Sequence, residues 1–396
     1  MKRLRAHYKR VNLTYLTLAV VILIGLAFLL LYHLGSLTGG LSSGEIDTSK
    51  AVVGWHGIYH NPLNLPINFI RSIVFFIYPT HGQTLTRLPN TLFGLLSIIN
   101  FSFLVYLWHG KRTAILAGTL FASAAWTLHV SRLASMDVMY LWGITTLLLS
   151  HVIYYQFKDK LRYFYINLFV WGILITIPGL IWLVIIDLAF QRSRIASSWK
   201  SLNKWWQRII AVILPLLWLP LLVLSFRSSS LLKQWVGLPN RFPSLLHILK
   251  DIIAVPFHLF IRGPKYPTLW LGKVPVLDFF VLAMAVIGIY FYAQNYKSSR
   301  SRLLGSLFLV SALLVGLGGS VSFSLVVPFA YLMASTGITY LLRSWMNVFP
   351  LNPLARSLGV TLIVLAVTAS CIYNLRSYFI AWPGNPDTKA NFNRRL

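Results

Sequence analysis

Long apolar runs alternate along this chain with short segments that collect its basic residues. The runs fall at about 12–34, 88–108, 113–130, 138–157, 163–177, 178–191, 209–226, 275–294, 303–320, 322–342 and 357–375. They are dense in Leu, Ile, Val and Phe and lack the period-two alternation of a barrel strand, which predicts membrane-spanning helices. The stretch 163–191 has the length of one long helix or two short ones. Pro178-Gly179 supplies a break, and two crossings put the basic segment behind it (Arg192, Arg194, Lys200, Lys204, Arg208) on the same side as the other short basic loops. Leu65 to Tyr78 is apolar but short and contains Pro66 and Arg71, which suits a helix lying in the interface. The expected fold is an all-α polytopic membrane protein, a bundle of about 11 transmembrane helices with interfacial helices in its external loops.

Charge assigns the sides. Of 396 residues, 35 are Lys or Arg and only 8 are acidic, a net charge of +27. Such an excess raises the question of nucleic acid, but the basic residues lie between apolar runs rather than on one soluble face, so nucleic-acid binding is excluded as a reading. The basic N-terminus, Lys111-Arg112, Lys158/Lys160/Arg162, the 192–208 loop, Lys297/Arg300/Arg302 and Arg343/Arg356 are expected on the cytoplasmic side. That gives a signal-anchor first span over 1–34, an external loop 35–87 and core spans over 88–226. A second external loop 227–274, further spans over 275–375 and a flexible external tail 376–396 follow. The single cysteine, Cys371, lies in an apolar run and offers neither a disulfide framework nor a thiolate metal site.

With acids so scarce, the only Glu stands out: Glu45 precedes Asp47 by two positions, just past the first apolar run. On the same expected face come His56 and His60, then Arg87, then Arg132 and Asp137. Carboxylates deprotonate an acceptor hydroxyl or hold a divalent cation, and guanidinium groups grip phosphate. Each residue also has a plainer reading. The acids suit a solvated loop, the arginines suit interfacial anchors, and Asp137 suits the N-terminus of the following helix. His56 and His60 have the i, i+4 spacing of metal ligands but flank a glycine, Gly57. Asp187 lies inside an apolar run near its cytoplasmic end, close enough to the boundary to reach water. The 227–274 loop mixes Lys265, Lys273 and other basic residues with Trp235, Phe257 and Trp270, the composition of a headgroup interface or a phosphate pocket.

The order of these features resembles the GT-C class of membrane glycosyltransferases, in its protein mannosyltransferase and aminoarabinose transferase branch. Glu45-Ile46-Asp47 resembles the acidic motif of the first external loop. Arg87-Leu88-Pro89 with Gly94 resembles the Arg-Leu-Pro and Gly ahead of the next span. His109-Gly110-Lys111-Arg112 matches the basic turn, and Ser131-Arg132 with Asp137 matches the Ser-Arg and nearby acid. Two departures stand out: an adjacent Asp-Glu is the commoner form of the acidic motif, and the chain is short, with no evident C-terminal soluble domain.

The resemblance implies transfer of a sugar from a polyprenyl-phosphate donor to a protein, lipid or glycan acceptor on the external face, by inverting displacement. Glu45, Asp47 and Asp137 would be catalytic, and Arg87, Arg132, Lys265 and Lys273 would hold the donor phosphate. The cofactor is left open, with a divalent metal one option and His56 and His60 its candidate ligands. A bacterial inner membrane with the N-terminus in the cytoplasm is the expected location. The alternatives are a transporter or lipid flippase, which would place ionisable groups near the midplane of several spans, and a non-catalytic membrane scaffold.

Overall fold

The computed structural model describes residues 13–50, 62–78, 82–156, 161–264 and 274–393. Among the described residues there is no β-strand, and each of the eleven apolar runs is helical. The helices are α1 (Leu13–Leu31), α2 (Ser43–Lys50), α3 (Leu65–Ile77), α4 (Gln83–His109), α5 (Lys111–Ser123), α6 (Ala125–Arg132) and α7 (Val138–Gln156). There follow α8 (Leu161–Leu174), α9 (Leu180–Lys200), α10 (Trp205–Ile213), α11 (Leu219–Arg227), α12 (Ser229–Val236) and α13 (Leu245–Phe260). The last long elements are α14 (Phe279–Gln294), α15 (Ser299–Gly316), α16 (Val327–Val348) and α17 (Pro353–Arg376).

Six of the described helical segments are long and apolar enough to cross a membrane, or seven if the bent pair α5–α6 is one span. This is fewer than the eleven expected: α8 and α14 are only 14 and 16 residues long, α9 carries Asp187, Arg192 and Arg194, and the first apolar helix counts only over Val20–Leu31. The chain is therefore a multi-pass membrane protein whose apolar runs are all helical but unequal in reach. The run 113–130 is not a straight span: α5 and α6 meet at 59°. The bend is built by side chains, since Asn374 Oδ1 accepts the Ala125 N–H at 3.1 Å and Asn374 Nδ2 donates to Asp278 Oδ2 at 2.8 Å. The break expected at Pro178-Gly179 is present, with Gly179 at φ 77° between α8 and α9.

Close helix approach depends on small residues, as membrane packing requires. A Cβ on Gly288 of α14 would overlap the Met333 carbonyl of α16, and one on Gly337 would overlap the Met284 carbonyl. A Cβ on Gly94 of α4 would overlap the Ser131 side chain of α6, a close approach that brings the first half of the bundle together around the acidic loop.

Two expectations are corrected. The tail is not a loose end: Trp382 is fully buried and its ring packs edge-on against His129, while Phe392 packs on Trp382 and lies 5.9 Å beneath the Arg87 guanidinium. Two large aromatic rings outweigh the turn-forming Pro383 and Gly384. Asp187 does not reach water; it is 1% exposed. His151 Nδ1 lies 2.6 Å from its Oδ1, and Trp171 Nε1 and Gln191 Nε2 each donate to Oδ2 at 2.8 Å. A carboxylate so enclosed ties α7, α8 and α9 together.

Candidate active site

The acidic loop meets the bundle through Glu45, the third residue of α2. Ser42 supplies its backbone N–H at 2.9 Å and its hydroxyl at 3.3 Å to Glu45 Oε2, a local turn that aims the carboxylate inward. There it meets Arg87, at the start of α4. Nε donates to Oε1 at 2.8 Å and Nη2 to Oε2 at 3.0 Å, with the two side chains 2% and 3% exposed. The remaining guanidinium donors reach Leu34 O, Thr38 Oγ1 and Gly40 O. Glu45 Oε1 also accepts the Ala134 N–H at 3.0 Å. Glu45 and Arg87, expected in separate roles, are thus partners that clamp segment 34–45 onto the loop after α6.

Arg132 is likewise committed to its own protein. Nη1 donates to Leu29 O at 2.6 Å and Nη2 to Tyr32 O, and the guanidinium stacks 4.9 Å from the Phe379 ring and 5.2 Å from that of Tyr378. Asp47 lies on the opposite side of α2 from the buried Glu45 and is exposed. His56, His60, Lys265 and Lys273 fall outside the described residues.

Asp137 has a different setting. With Asp251, His258 and Ser322 it lines a cavity of about 430 Å³ between the 133–137 loop, α13 and the Gly318-to-Phe323 loop. Burial raises its carboxyl above the ordinary 3.8, and the hydroxyls of Ser322 and Ser135 beside it oppose that rise. Opposite it, α13 turns Asp251, Ala254, Val255 and His258 into the cavity, an i, i+3, i+4, i+7 stripe. The other side of α13 exposes Leu245, Leu249, Ile253 and Phe257. His258 Nδ1 donates to the Arg262 carbonyl at 2.8 Å, which fixes the orientation of the ring and leaves Nε2 as its other nitrogen. Pro264 also lines the cavity, and Lys265 is the next residue in the chain.

Sequence reasoning passed over His258 and Arg71, and weighed Asp251 with Asp278 only as added charge that their spacing does not single out. The α13 stripe was open to detection as a helical period; Asp251 and His258 are seven positions apart on one face. Arg71 looked like a mere interruption of the α3 apolar run, yet it is 1% exposed and donates to Asn90 Oδ1 at 2.8 Å and to Met136 Sδ at 3.5 Å. Asn90 Nδ2 in turn donates to Ser135 O at 2.5 Å. Desolvation lowers the Arg71 guanidinium to about 10, partly offset by Glu45, so it stays a cation at neutral pH beside the loop that carries Asp137. Among the described residues no three His, Cys, Asp or Glu side chains lie close enough together to hold a metal ion.

No protein-family model matches the chain. No curated protein matches it in sequence. Solved structures do match it in shape. The apo crystal structure of ArnT from Cupriavidus metallidurans superposes with a TM-score of 0.54 at 12% identity, over 95% of this chain and 76% of that one. The same protein bound to undecaprenyl phosphate gives 0.53 at 13% identity, over 94% and 76%. The apo oligosaccharyltransferase of Archaeoglobus fulgidus gives 0.57 at 14% identity, over 95% of this chain and 56% of that one. This is the GT-C fold. The chain spans about half of the oligosaccharyltransferase and three quarters of ArnT. Within the GT-C bundle of this chain, the clamped acidic loop, the Asp137 loop and α13 gather at one end.

Proposed function

We propose that the protein is a glycosyltransferase that moves a sugar from a polyprenyl-phosphate donor to an acceptor, and that Asp137 is its general base. The observation that carries this reading is the 430 Å³ cavity with Asp137 on one wall and Asp251 and His258 on the other. It lies at the end of a GT-C bundle where the acidic loop is clamped. The fold neighbour bound to undecaprenyl phosphate supports the class of donor.

The chemistry is a single displacement with inversion. The acceptor hydroxyl or amine attacks the anomeric carbon, its proton passes to an Asp137 oxygen, and the C–O electron pair leaves with the polyprenyl phosphate. A phosphate leaving group needs little acid assistance, so one well-placed base suffices. The elevated pKa of Asp137 makes it a better proton acceptor than an ordinary surface carboxylate. Asp251 and His258 Nε2 bind sugar hydroxyls from the facing wall. Lys265, which follows the cavity-lining Pro264, supplies positive charge to the departing phosphate, with Lys273 further along the same segment.

Glu45 then acts at one remove. With both oxygens engaged by Arg87, Ser42 and Ala134, it positions the Asp137 loop, and Asp47 is the carboxylate of the acidic motif left exposed to an acceptor. The short basic loops at the opposite end favour an external active site with the N-terminus in the cytoplasm, as in a bacterial inner membrane. Mass spectrometry of lipid extracts from a deletion strain tests the function: a polyprenyl-phosphate sugar should accumulate. Unchanged lipid-linked sugars and unchanged surface glycans would refute it.

A further inference from the structure

The opposite end of the bundle holds a second cavity that the transfer reaction does not use. From position 87 to position 109, α4 rises about 33 Å, so this cavity is a membrane's width from the acidic loop. Its volume is about 450 Å³, and it lies between the α4–α5 turn, α16 and α17. His109, Arg112, Arg343, Asn347, Thr113 and Thr339 supply its polar wall; Ile115, Leu342 and Val364 are among its apolar residues.

The charges there are uncompensated. No carboxylate lines the cavity, and among the described residues neither Arg112 nor Arg343 is in an ion pair. Both are exposed. A third guanidinium stands behind them. Arg300 Nη2 lies 2.6 Å from His109 Nε2 and 2.9 Å from the Tyr292 hydroxyl, with its plane 4.0 Å from the Trp108 ring. Because arginine only donates, His109 Nε2 must accept, so the ring is neutral and its proton sits on Nδ1. The wall therefore offers N–H donors from Arg112 and Arg343 with no carboxylate to compete for them. Ile115 and Val364, 62% and 43% exposed, continue the cavity onto the outer, apolar surface of the helices.

We infer that this cavity binds an anionic phospholipid, with Arg112 and Arg343 on the phosphodiester and the acyl chains along Ile115, Leu342 and Val364. Paired guanidinium groups match phosphate oxygens, and a site that opens sideways onto an apolar surface suits an amphiphile better than a soluble anion. The inference is independent of the glycosyl-transfer reading, since it involves no residue of the Asp137 cavity.

Native mass spectrometry of the purified full-length protein, offered phosphatidylglycerol or phosphatidylcholine, tests it. The wild type should retain phosphatidylglycerol in preference. Arg112→Gln with Arg343→Gln should reduce that preference roughly tenfold or more. Arg302→Gln, an exposed arginine on α15 that does not line the cavity, should leave it intact. Ile115→Trp, which fills the apolar mouth without touching a charge, should also reduce retention. Equal retention by the double variant or by the tryptophan variant would overturn the site, as would an equal loss in Arg302→Gln. Displacement of the lipid by excess glycerol phosphate would show a soluble-anion site instead and overturn the lipid assignment.

Discussion

Arg87 grips both carboxylate oxygens of Glu45 inside the protein, with Nε 2.8 Å from Oε1 and Nη2 3.0 Å from Oε2. The pair joins the acidic loop to the start of α4, and Ala134 N–H extends the joint to the loop that carries Asp137. Breaking a buried pair by neutralising one partner leaves the other charge without compensation, at a cost of about 3–5 kcal/mol. Glu45→Gln should therefore lower the melting temperature in detergent markedly. Glu45→Gln combined with Arg87→Met should melt above the single variant, because it removes the stranded cation. A single variant that melts like wild type would show that the pair is not structural.

The Arg71–Asn90–Ser135 chain is a second support for the same loop. Asn90→Ala removes the acceptor for Arg71 and the donor for Ser135 together, leaving a buried guanidinium underserved. A loss of about 1–3 kcal/mol is expected, read as a shift in thermal or denaturant unfolding. Transfer activity should fall too, because the Asp137 loop loses its anchor.

A further check lies in the helix packing. Gly94→Ala places a methyl group into Ser131 across the α4–α6 contact and should destabilise the protein by about 1–3 kcal/mol. Adding Ser131→Gly removes the obstructing side chain and should restore much of the stability. Failure of that rescue would place the cost elsewhere.

The bundle was legible because apolar run length and basic loop position are local properties, visible in 88–108 or 357–375 without knowledge of any partner. The break at Pro178-Gly179 was legible for the same reason. The bend between α5 and α6 was not, since the group that stabilises it is Asn374, some 249 positions away. The acidic motif was found, but its division of labour was hidden. Sequence spacing puts Glu45 and Arg87 on one membrane face, yet only the fold shows that they occupy each other. Asp251 and His258 sat in plain periodicity on α13, but a period marks a face and not what that face lines.

The pH dependence of transfer follows from Asp137. Burial holds its carboxyl above 3.8, so protonation sets in at a higher pH than for a free carboxylate. A base works only when deprotonated. Accordingly kcat/KM should be level at higher pH and fall as pH drops through the raised value. Asp251→Asn should leave that acid limb in place. A limb at or below 3.8 would mean that Asp137 does not set it.

The most direct measurement is release of polyprenyl phosphate from a labelled polyprenyl-phosphate sugar by purified wild type, Asp137→Asn and Asp47→Asn, each confirmed folded by its melting curve. The account predicts that Asp137→Asn loses about 10²–10⁴-fold in kcat with its fold intact, while Asp47→Asn keeps measurable turnover. Wild-type turnover in Asp137→Asn, with loss confined to Asp47→Asn, would contradict it.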